Sequence, residues 1–430
     1  MNILIRTDYS SKSGLGHVMR CLTLADSLQI QGAQIKFSCD PCDLIVRRGY
    51  DVISPIKNEV EGDLLIVDHY GLDKNWEQKQ RKFFDRIFVI DDLAREHDCD
   101  ILLDQNLVFN YKARYNGKVS EKCKLLLGPE YVLLSPIYTD LHQRIPPREG
   151  SVKRVLVSLG GGDYPDLYKQ VQEDFLSLNR PEIQLDIVNP RERHVENLAS
   201  LMAQADLAIA AAGSSSWERL CLGLPSLMIA VADNQKEILE ELIRRELAIL
   251  YTKFALEKIL DQGLDQSWSK RCSGAIGTNG RGRVTTVLMT NSETQVRMRY
   301  ANLKDEDWLF ELANDRVTRL NSFSTAPISP KTHRDWFHKK LRDVENCCFY
   351  VMENSIGVRI GQVRFEKNIN QSWELSYAIA AEFRGIGLGK RMLKLAIEEL
   401  RSERGYVDVY GHVKPENVAS QKIFKSLGLA

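Results

Sequence analysis

Short apolar clusters alternate with helical patterns through the first 140 residues. "NILIRTD", "QIKFSCD", "LLIVDHY", "RIFVIDD" and "ILLDQN" read as strands, and "VMRCLTLADSLQIQG" repeats apolar residues at helical spacing. Strands separated by helices mark a parallel, doubly wound sheet. Residues 142–151, "HQRIPPREGS", carry two prolines and mixed charge and read as a linker. A second unit of the same kind follows, with "KRVLVSLGGGD", "IQLDIVN", "ADLAIAAAGSSSWERLCLG" and "LPSLMIAVADNQ" ahead of a helical "EILEELIRRELAIL". Residues 263–283 are rich in glycine, and the next boundary is expected near 290–295. Beyond it the pattern changes: "CCFYVME", "VRIGQVRF" and "WELSYAIA" read as successive antiparallel strands, followed by a helix, the strand "YVDVYGHV" and a last helix. The expected organisation is two α/β domains over 1–142 and 150–292, then an α+β domain over 295–430.

The 58 basic and 58 acidic residues cancel, so the chain has no general attraction for nucleic acid, an anionic membrane or a polyanionic substrate. Any phosphate site has to be local. Arg6 and Asp8 interrupt the N-terminal apolar stretch too early for a signal-peptide core, and no apolar run approaches the roughly 20 residues of a membrane span. A cytoplasmic protein is expected. Nine cysteines, an odd number, fit reduced thiols better than a disulfide framework. Cys39 and Cys42 have C-x-x-C spacing, but no second pair or histidine set completes a site, so no metal is expected.

Chemistry concentrates at two loop-to-helix junctions. In "SGLGHVMRC", residues 13–21, Gly14 and Gly16 flank the approach to His17 at the mouth of a helix. Such a junction aims backbone N–H groups and the positive helix end at whatever lies beyond the strand, which suits phosphate. The third glycine of a dinucleotide fingerprint is absent, Met19 standing there, and so is the ending of a P-loop, although Asp40 at the end of the second strand keeps a nicotinamide reading open. An imidazole at a positive helix end is favoured in its neutral form, which can take a proton. Asp8, beside the same loop, either orients His17 or binds a sugar group. Asp68, His69 and Tyr70 end the third predicted strand, on the edge where open parallel sheets place ligands, and substrate contacts are expected there.

In the second half, Gly213 is followed by Ser214, Ser215 and Ser216 at another helix start. Bare N–H groups and hydroxyls together can hold a diphosphate. Glu218, in the first helical turn, can accept both hydroxyls of a ribose.

Taken together, "RTDYSSKSGLGHVMRCLTLADSL", "LLIVDHYGLDKNWE", "IDDLAREHDCDILLDQNL", "LLGPEYVLLSP", "VLVSLGGGD" and "GSSSWERLCLGLPSLMIAVADNQ" resemble, in order over roughly residues 1–290, the UDP-sugar hydrolases of pseudaminic acid biosynthesis. The resemblance implies two Rossmann-like domains arranged as in the glycosyltransferases of the B type, with the site in the cleft between them. It also implies hydrolysis of UDP-2,4-diacetamido-2,4,6-trideoxy-β-L-altropyranose to UDP and the free sugar, needing no cofactor. His17 then orients or deprotonates the attacking water, and Asn234 and Gln235 in "ADNQ" resemble the nucleotide-side contacts of the family.

The third domain carries "EFRGIGLGKRML", in which Arg384-x-x-Gly387-x-Gly389 resembles the acyl-CoA signature of the GNAT acetyltransferases. Its glycines let N–H groups close on the CoA pyrophosphate at a helix start. The resemblance implies acetyl-CoA as cosubstrate, held by Arg384, Gly385, Gly387, Gly389, Lys390 and Asn417, with Glu374 on the preceding strand deprotonating the attacking amine. Two departures stand out. Phe424 occupies the place where many members put a tyrosine that protonates the leaving thiolate, and the sequence stops at "SLGLA", short of the last strands expected of that fold.

A chain with both resemblances joins consecutive steps: N-acetylation of the UDP-4-amino-sugar precursor, then hydrolysis of its product. Two other readings stay open for the first 290 residues, a UDP-sugar glycosyltransferase on the same fold and a non-catalytic UDP-sugar-binding protein. The oligomeric state is not readable from the sequence.

Overall fold

Seven parallel strands form the first sheet: β1 (Asn2–Thr7), β2 (Gln34–Ser38), β3 (Asp51–Ile53), β4 (Gly62–Asp68), β5 (Phe84–Ile90), β6 (Ile101–Asp104) and β7 (Lys124–Leu127), in the order β3-β2-β1-β4-β5-β6-β7. The computed structural model describes residues 1–430 apart from 10–14, 55–59, 161, 163, 190–197, 291–294, 355–356, 386, 430 and the side chain of Glu382. Residues 64–67 of β4 are almost wholly buried, as a central strand covered by helices on both faces requires. β1 pairs with β2 on one side and β4 on the other, with Thr7 opposite Asp68. The strand order therefore reverses between β1 and β4, and their carboxyl ends open the crevice in which such sheets bind ligands.

The second sheet holds β8 (Arg154–Ser158), β9 (Gln184–Ile187), β10 (Leu207–Ala211), β11 (Ser226–Ile229) and β12 (Ile249–Leu250), parallel throughout in the order β12-β11-β10-β8-β9. Its order reverses between β8 and β10, and β10 leads directly into the serine-rich turn. Both sheets lie in one compact unit, Met1–Thr285.

Two local expectations are corrected here. The stretch 142–151 is no loose linker: Arg148 is buried, and its guanidinium donates to the carbonyls of Ala205 (2.8 Å), Met202 (2.8 Å) and Leu222. Gly150 exchanges backbone bonds with Leu264. A buried guanidinium has to recover its lost hydration from such acceptors, and burial lowers its pKa to about 10. The helix expected through Leu250 stops at Arg244; Glu246 then takes φ +56°, and Ile249 and Leu250 join the sheet as β12. Within the glycine-rich stretch, helices form at Gln266–Gly274 and Gly280–Met289, tertiary packing outweighing the low helix propensity of glycine. Thr285 of the latter bonds Ser27 of the first half (3.0 Å).

The unit Thr286–Ala430 contains one five-stranded sheet. β13 (Val296–Tyr300), β14 (Cys347–Asn354), β15 (Arg359–Lys367) and β16 (Trp373–Ile379) are antiparallel neighbours, as their alternating patterns predict. β17 (Val409–Tyr410) runs parallel to β16 and pairs only at Trp373–Val409 and Glu374–Tyr410. The helix Leu388–Arg404 buries Leu388, Met392, Leu393, Ala396, Ile397 and Leu400 at helical spacing, which is why it forms.

Candidate active site

His17 enters the first turn of the helix Gly16–Ile30 and is 5% exposed, close to the carboxyl end of β4. Its Nδ1 lies 2.6 Å from Asp68 Oδ1. Arg20, one turn along the same helix, donates to Asp68 through Nε (2.6 Å) and Nη2 (2.5 Å), and Cys21 Sγ approaches the same carboxylate at 3.4 Å. Arg20 Nη2 is also 3.1 Å from His17 Nδ1. It is a donor already engaged with Asp68, and an ionised carboxylate is the stronger acceptor. Nδ1 therefore carries its proton toward Asp68, and Nε2 is left as the ring nitrogen that can accept one.

Asp68 is fully buried. Burial by itself would favour its protonated form, but Arg20 first and His17 second hold the carboxyl well below the usual carboxylate range. Expected as a substrate contact, its side chain instead faces His17, Arg20 and Cys21. Asp8, the acid expected to orient His17 or bind a sugar group, donates its backbone N–H to Asp68 O (2.9 Å), and its charge bears on Arg6 and His69. His69 Nδ1 accepts from Gly71 N (2.9 Å), and burial and the Arg6 guanidinium lower its pKa. The Tyr70 ring meets the His17 ring edge-on, centroids 4.5 Å apart, and burial beside Asp92 raises its phenol pKa.

The second sheet's turns close on this group. A Cβ built on Gly16 would stand 3.4 Å from Ser214 Oγ, and Asn234 Nδ2 donates to Tyr70 OH at 3.4 Å. Gln235 accepts from Val231 N (3.1 Å), and its Nε2 lies beside Gly213. The structure thus brings Gly16, His17, Tyr70, Gly213, Ser214, Asn234 and Gln235 to one cleft. Gly14 lies outside the described residues.

Beneath the serine turn sits Arg219, 1% exposed, donating to Ala211 O (2.8 Å), Ser215 Oγ (2.9 Å) and Ser216 Oγ (3.2 Å). A serine oxygen that accepts from Arg219 keeps its own O–H to donate elsewhere. Ser216 is itself buried, so Ser214 and Ser215 are the hydroxyls left to face the cleft. Glu218 is hydrogen-bonded with Tyr138, and burial pushes its carboxyl up to about 7 against the pull of Tyr138 and Arg219.

Sequence reasoning missed Arg20, Arg219 and the loop after β5. The two arginines carry a legible signal, a charge on the buried face of an apolar helix pattern, "VMRCLTLA" and "SWERLCLG". In the loop after β5, His97 is 2% exposed, with Nδ1 2.7 Å from Glu77 Oε1 and Nε2 3.5 Å from Asp91 Oδ2. Burial opposes its charge, but Asp91 and Glu77 outweigh that and raise its pKa to about 9. A pKa raised on folding from about 6.5 stabilises the fold fully below pH 6.5, and that stability is lost as pH rises through 9. His97→Gln should therefore cost on the order of 2–3 kcal/mol at pH 6, with the deficit shrinking as pH rises from about 6.5 and largely gone above pH 9 in urea titrations. A deficit independent of pH would exclude a charged His97.

In the second unit, Gly385 and Gly387 both take left-handed backbone, φ +80° and +83°, and Gly387 caps the helix Leu388–Arg404. A Cβ at Gly385 would meet open space. A left-handed glycine at a helix start leaves its N–H open to an anion; residue 386, between the two glycines, lies outside the described residues. Lys390 is exposed on the first turn of that helix. Two of the expected cofactor residues have side chains engaged within the protein, and a third is closely packed. Arg384 is bonded to Asp315 (2.6 Å), Thr318 (3.1 Å) and Ile379 O (2.9 Å). Gly389 is buried where a Cβ would come 2.9 Å from Ile423, and the Asn417 side chain caps the last helix by accepting from Ser420 N (3.1 Å). Glu374 is exposed on β16 where β17 still pairs. Tyr377 stacks on Phe424 with centroids 6.2 Å apart, its hydroxyl 2.8 Å from Ser420 Oγ.

These arrangements define a two-part enzyme: an α/β unit of parallel sheets with a histidine in its cleft, and a GNAT-like unit. Residues 295–430 match the family described as acetyltransferase (GNAT) domain. Over 58% of this chain and 99% of its own length, the UDP-2,4-diacetamido-2,4,6-trideoxy-beta-L-altropyranose hydrolase of Campylobacter jejuni is 27% identical. A Helicobacter pylori protein named pseudaminic acid cytidylyltransferase and hydrolase of the same sugar nucleotide is 23% identical over 55% of this chain and 45% of that one. An uncharacterised protein of Methanocaldococcus jannaschii is 22% identical over 100% of this chain and 96% of its own length. The chain thus joins a part homologous to hydrolases of pseudaminic acid biosynthesis with a C-terminal GNAT domain. Among the described residues no helix is long and apolar enough to cross a membrane, and no group of three or more His, Cys, Asp or Glu side chains gathers as metal ligands.

Proposed function

We propose that the unit Met1–Thr285 hydrolyses UDP-2,4-diacetamido-2,4,6-trideoxy-β-L-altropyranose to UDP and the free sugar, with His17 as general base. The observation that carries this is the buried Asp68 carboxylate on His17 Nδ1 (2.6 Å), at the point where the strand order reverses. Nε2 takes a proton from water, the water oxygen bonds to the anomeric carbon, and the bond from that carbon to the diphosphate oxygen breaks. Asp68 stabilises the imidazolium that results, and Arg20 keeps Asp68 ionised. The departing diphosphate faces Ser214 and Ser215, with the Arg219 charge behind them, while Glu218 takes the ribose hydroxyls. Hydroxyls backed by a fixed cation supply preorganised stabilisation of the leaving group without a metal. The test is UDP release from this sugar nucleotide by the purified chain in the presence of a chelator. Intact sugar nucleotide that nonetheless binds would favour a transferase or a binding protein instead.

We further propose that the GNAT domain uses acetyl-CoA to N-acetylate the UDP-4-amino-sugar precursor, so that one chain runs two consecutive steps. The loop at Gly385 and Gly387, with Lys390, would hold the cosubstrate, which supplies the acetyl group. Glu374 takes the amine proton, and Tyr377, stacked on Phe424, provides the phenol that position 424 lacks. Glu374→Gln is expected to slow thiol release with the amino sugar by about 10²-fold and to leave UDP release unchanged. Equal rates in variant and wild type would remove Glu374 from the chemistry.

A further inference from the structure

The loop 69–72 follows Asp68 directly and carries Tyr70, whose ring packs on His17 and whose hydroxyl reaches Asn234. Its backbone is held from one side by a single guanidinium. Arg95 Nη1 donates to Tyr70 O (2.8 Å) and Leu72 O (2.9 Å), and Nη2 lies 3.3 Å from His69 O. The same side chain is fixed by Asp91, which accepts from Arg95 Nε (2.8 Å) and Arg95 N (3.0 Å). Asp91 is buried and also accepts from Tyr115 OH (2.9 Å). Behind it stands His97, whose other ring nitrogen meets Glu77, and Glu77 accepts from Asp98 N (2.7 Å). Glu77 and Asp91 are both closed to solvent, and His97 stands between them, hydrogen-bonded to Glu77 and in ion-pair contact with Asp91 at 3.5 Å, so opposite charges are held together away from water.

We propose that Arg95 is a positioning residue for the sugar side of the cleft: through the buried series Glu77, His97 and Asp91 it fixes the loop 69–72, and so the placement of Tyr70 against His17. The inference rests on the hydrolase reading for its kinetic consequence and on geometry alone for its structural one. A planar fork that serves Asp91 with one edge and a row of carbonyls with the other is a task for arginine, which the point charge of lysine fulfils only in part. Because a displacement of about 1 Å at a reacting pair costs on the order of 10²-fold in rate, the effect should be large.

The test uses the full-length chain with Arg95→Gln and Arg95→Lys. In Arg95→Gln, amide hydrogen exchange of peptides covering 69–72 should quicken at least tenfold while peptides from β8 to β12 keep wild-type exchange. kcat/KM for UDP release should fall by about 10²-fold, and affinity for UDP alone, bound through the second half, should stay within twofold. Arg95→Lys should fall between Arg95→Gln and wild type in both exchange and kcat/KM. Unchanged exchange at 69–72, or a loss of UDP affinity as large as the loss of kcat/KM, overturns the proposal. The exchange measurement needs no turnover, so it decides the positioning role even if the wild-type chain releases no UDP from this sugar.

Discussion

Replacing His17 by alanine is expected to lower kcat for UDP release by about 10²–10⁴-fold while UDP alone binds the variant as it binds the wild type. The imidazole is the group at the cleft whose free nitrogen can take a proton, and its orientation is imposed by Asp68 on Nδ1. On the proposed reading the nucleotide side is served by other residues, Ser214, Ser215, Glu218 and Gln235, from the loops and helix start that follow the second sheet's strands. Burst and steady-state assays of UDP, with calorimetry for binding, separate the two functions. A variant that keeps kcat within threefold would remove His17 as the base, and one that loses UDP affinity would make it a binding residue.

The second large effect concerns the carboxylate beneath it. Asp68→Leu is expected to destabilise the first unit by about 3–5 kcal/mol, because it leaves the Arg20 charge buried with, among the described residues, Asp92 at 3.3 Å as its remaining ion-pair partner. The double variant Arg20→Met, Asp68→Leu should recover most of that loss, since an apolar pair of similar volume carries no desolvation penalty. Neither variant should turn over, as His17 loses the acceptor that fixes its tautomer. Urea unfolding with parallel kinetics reads both quantities. A single variant within 1 kcal/mol of wild type would mean that water or relaxation reaches Arg20. Recovered turnover in the double variant would mean that Asp68 has no part in orienting the histidine.

Much of this site was legible along the chain, for a physical reason. His17, the serine turn and the glycine turn of the acetyltransferase domain all sit where a strand hands over to a helix, and that geometry is encoded locally by short-range sequence. Local pattern also identified the central strands, because a strand buried on both faces has to be apolar over its length. It failed where a few residues take their state from distant neighbours. Ile249 and Leu250 continue a helical pattern, yet they become β12 because β11 offers unpaired backbone beside them. The residues 142–151 look like a linker, yet Arg148 is drawn inward by carbonyls contributed from residues 202, 205 and 222.

By itself the sequence determined parallel α/β structure followed by a GNAT-like α+β domain, the positions of the loop-to-helix junctions, and the residue types able to act there. Only the tertiary structure decided which acid serves His17. The sequence offered Asp8 for that role and Asp68 as a substrate contact, whereas the parallel pairing of β1 with β4 places Asp68, from 51 residues away, on the imidazole. It also decided that Arg20, Arg95 and Arg219 hold other groups in place, that Ser216 is turned inward, and that Arg384 and Asn417 are engaged within the protein. The reason is common to all of these. A hydrogen bond to a buried charge is chosen by which groups the sheets bring within about 3 Å of one another, and that distance is a property of the folded chain that no local stretch of sequence encodes.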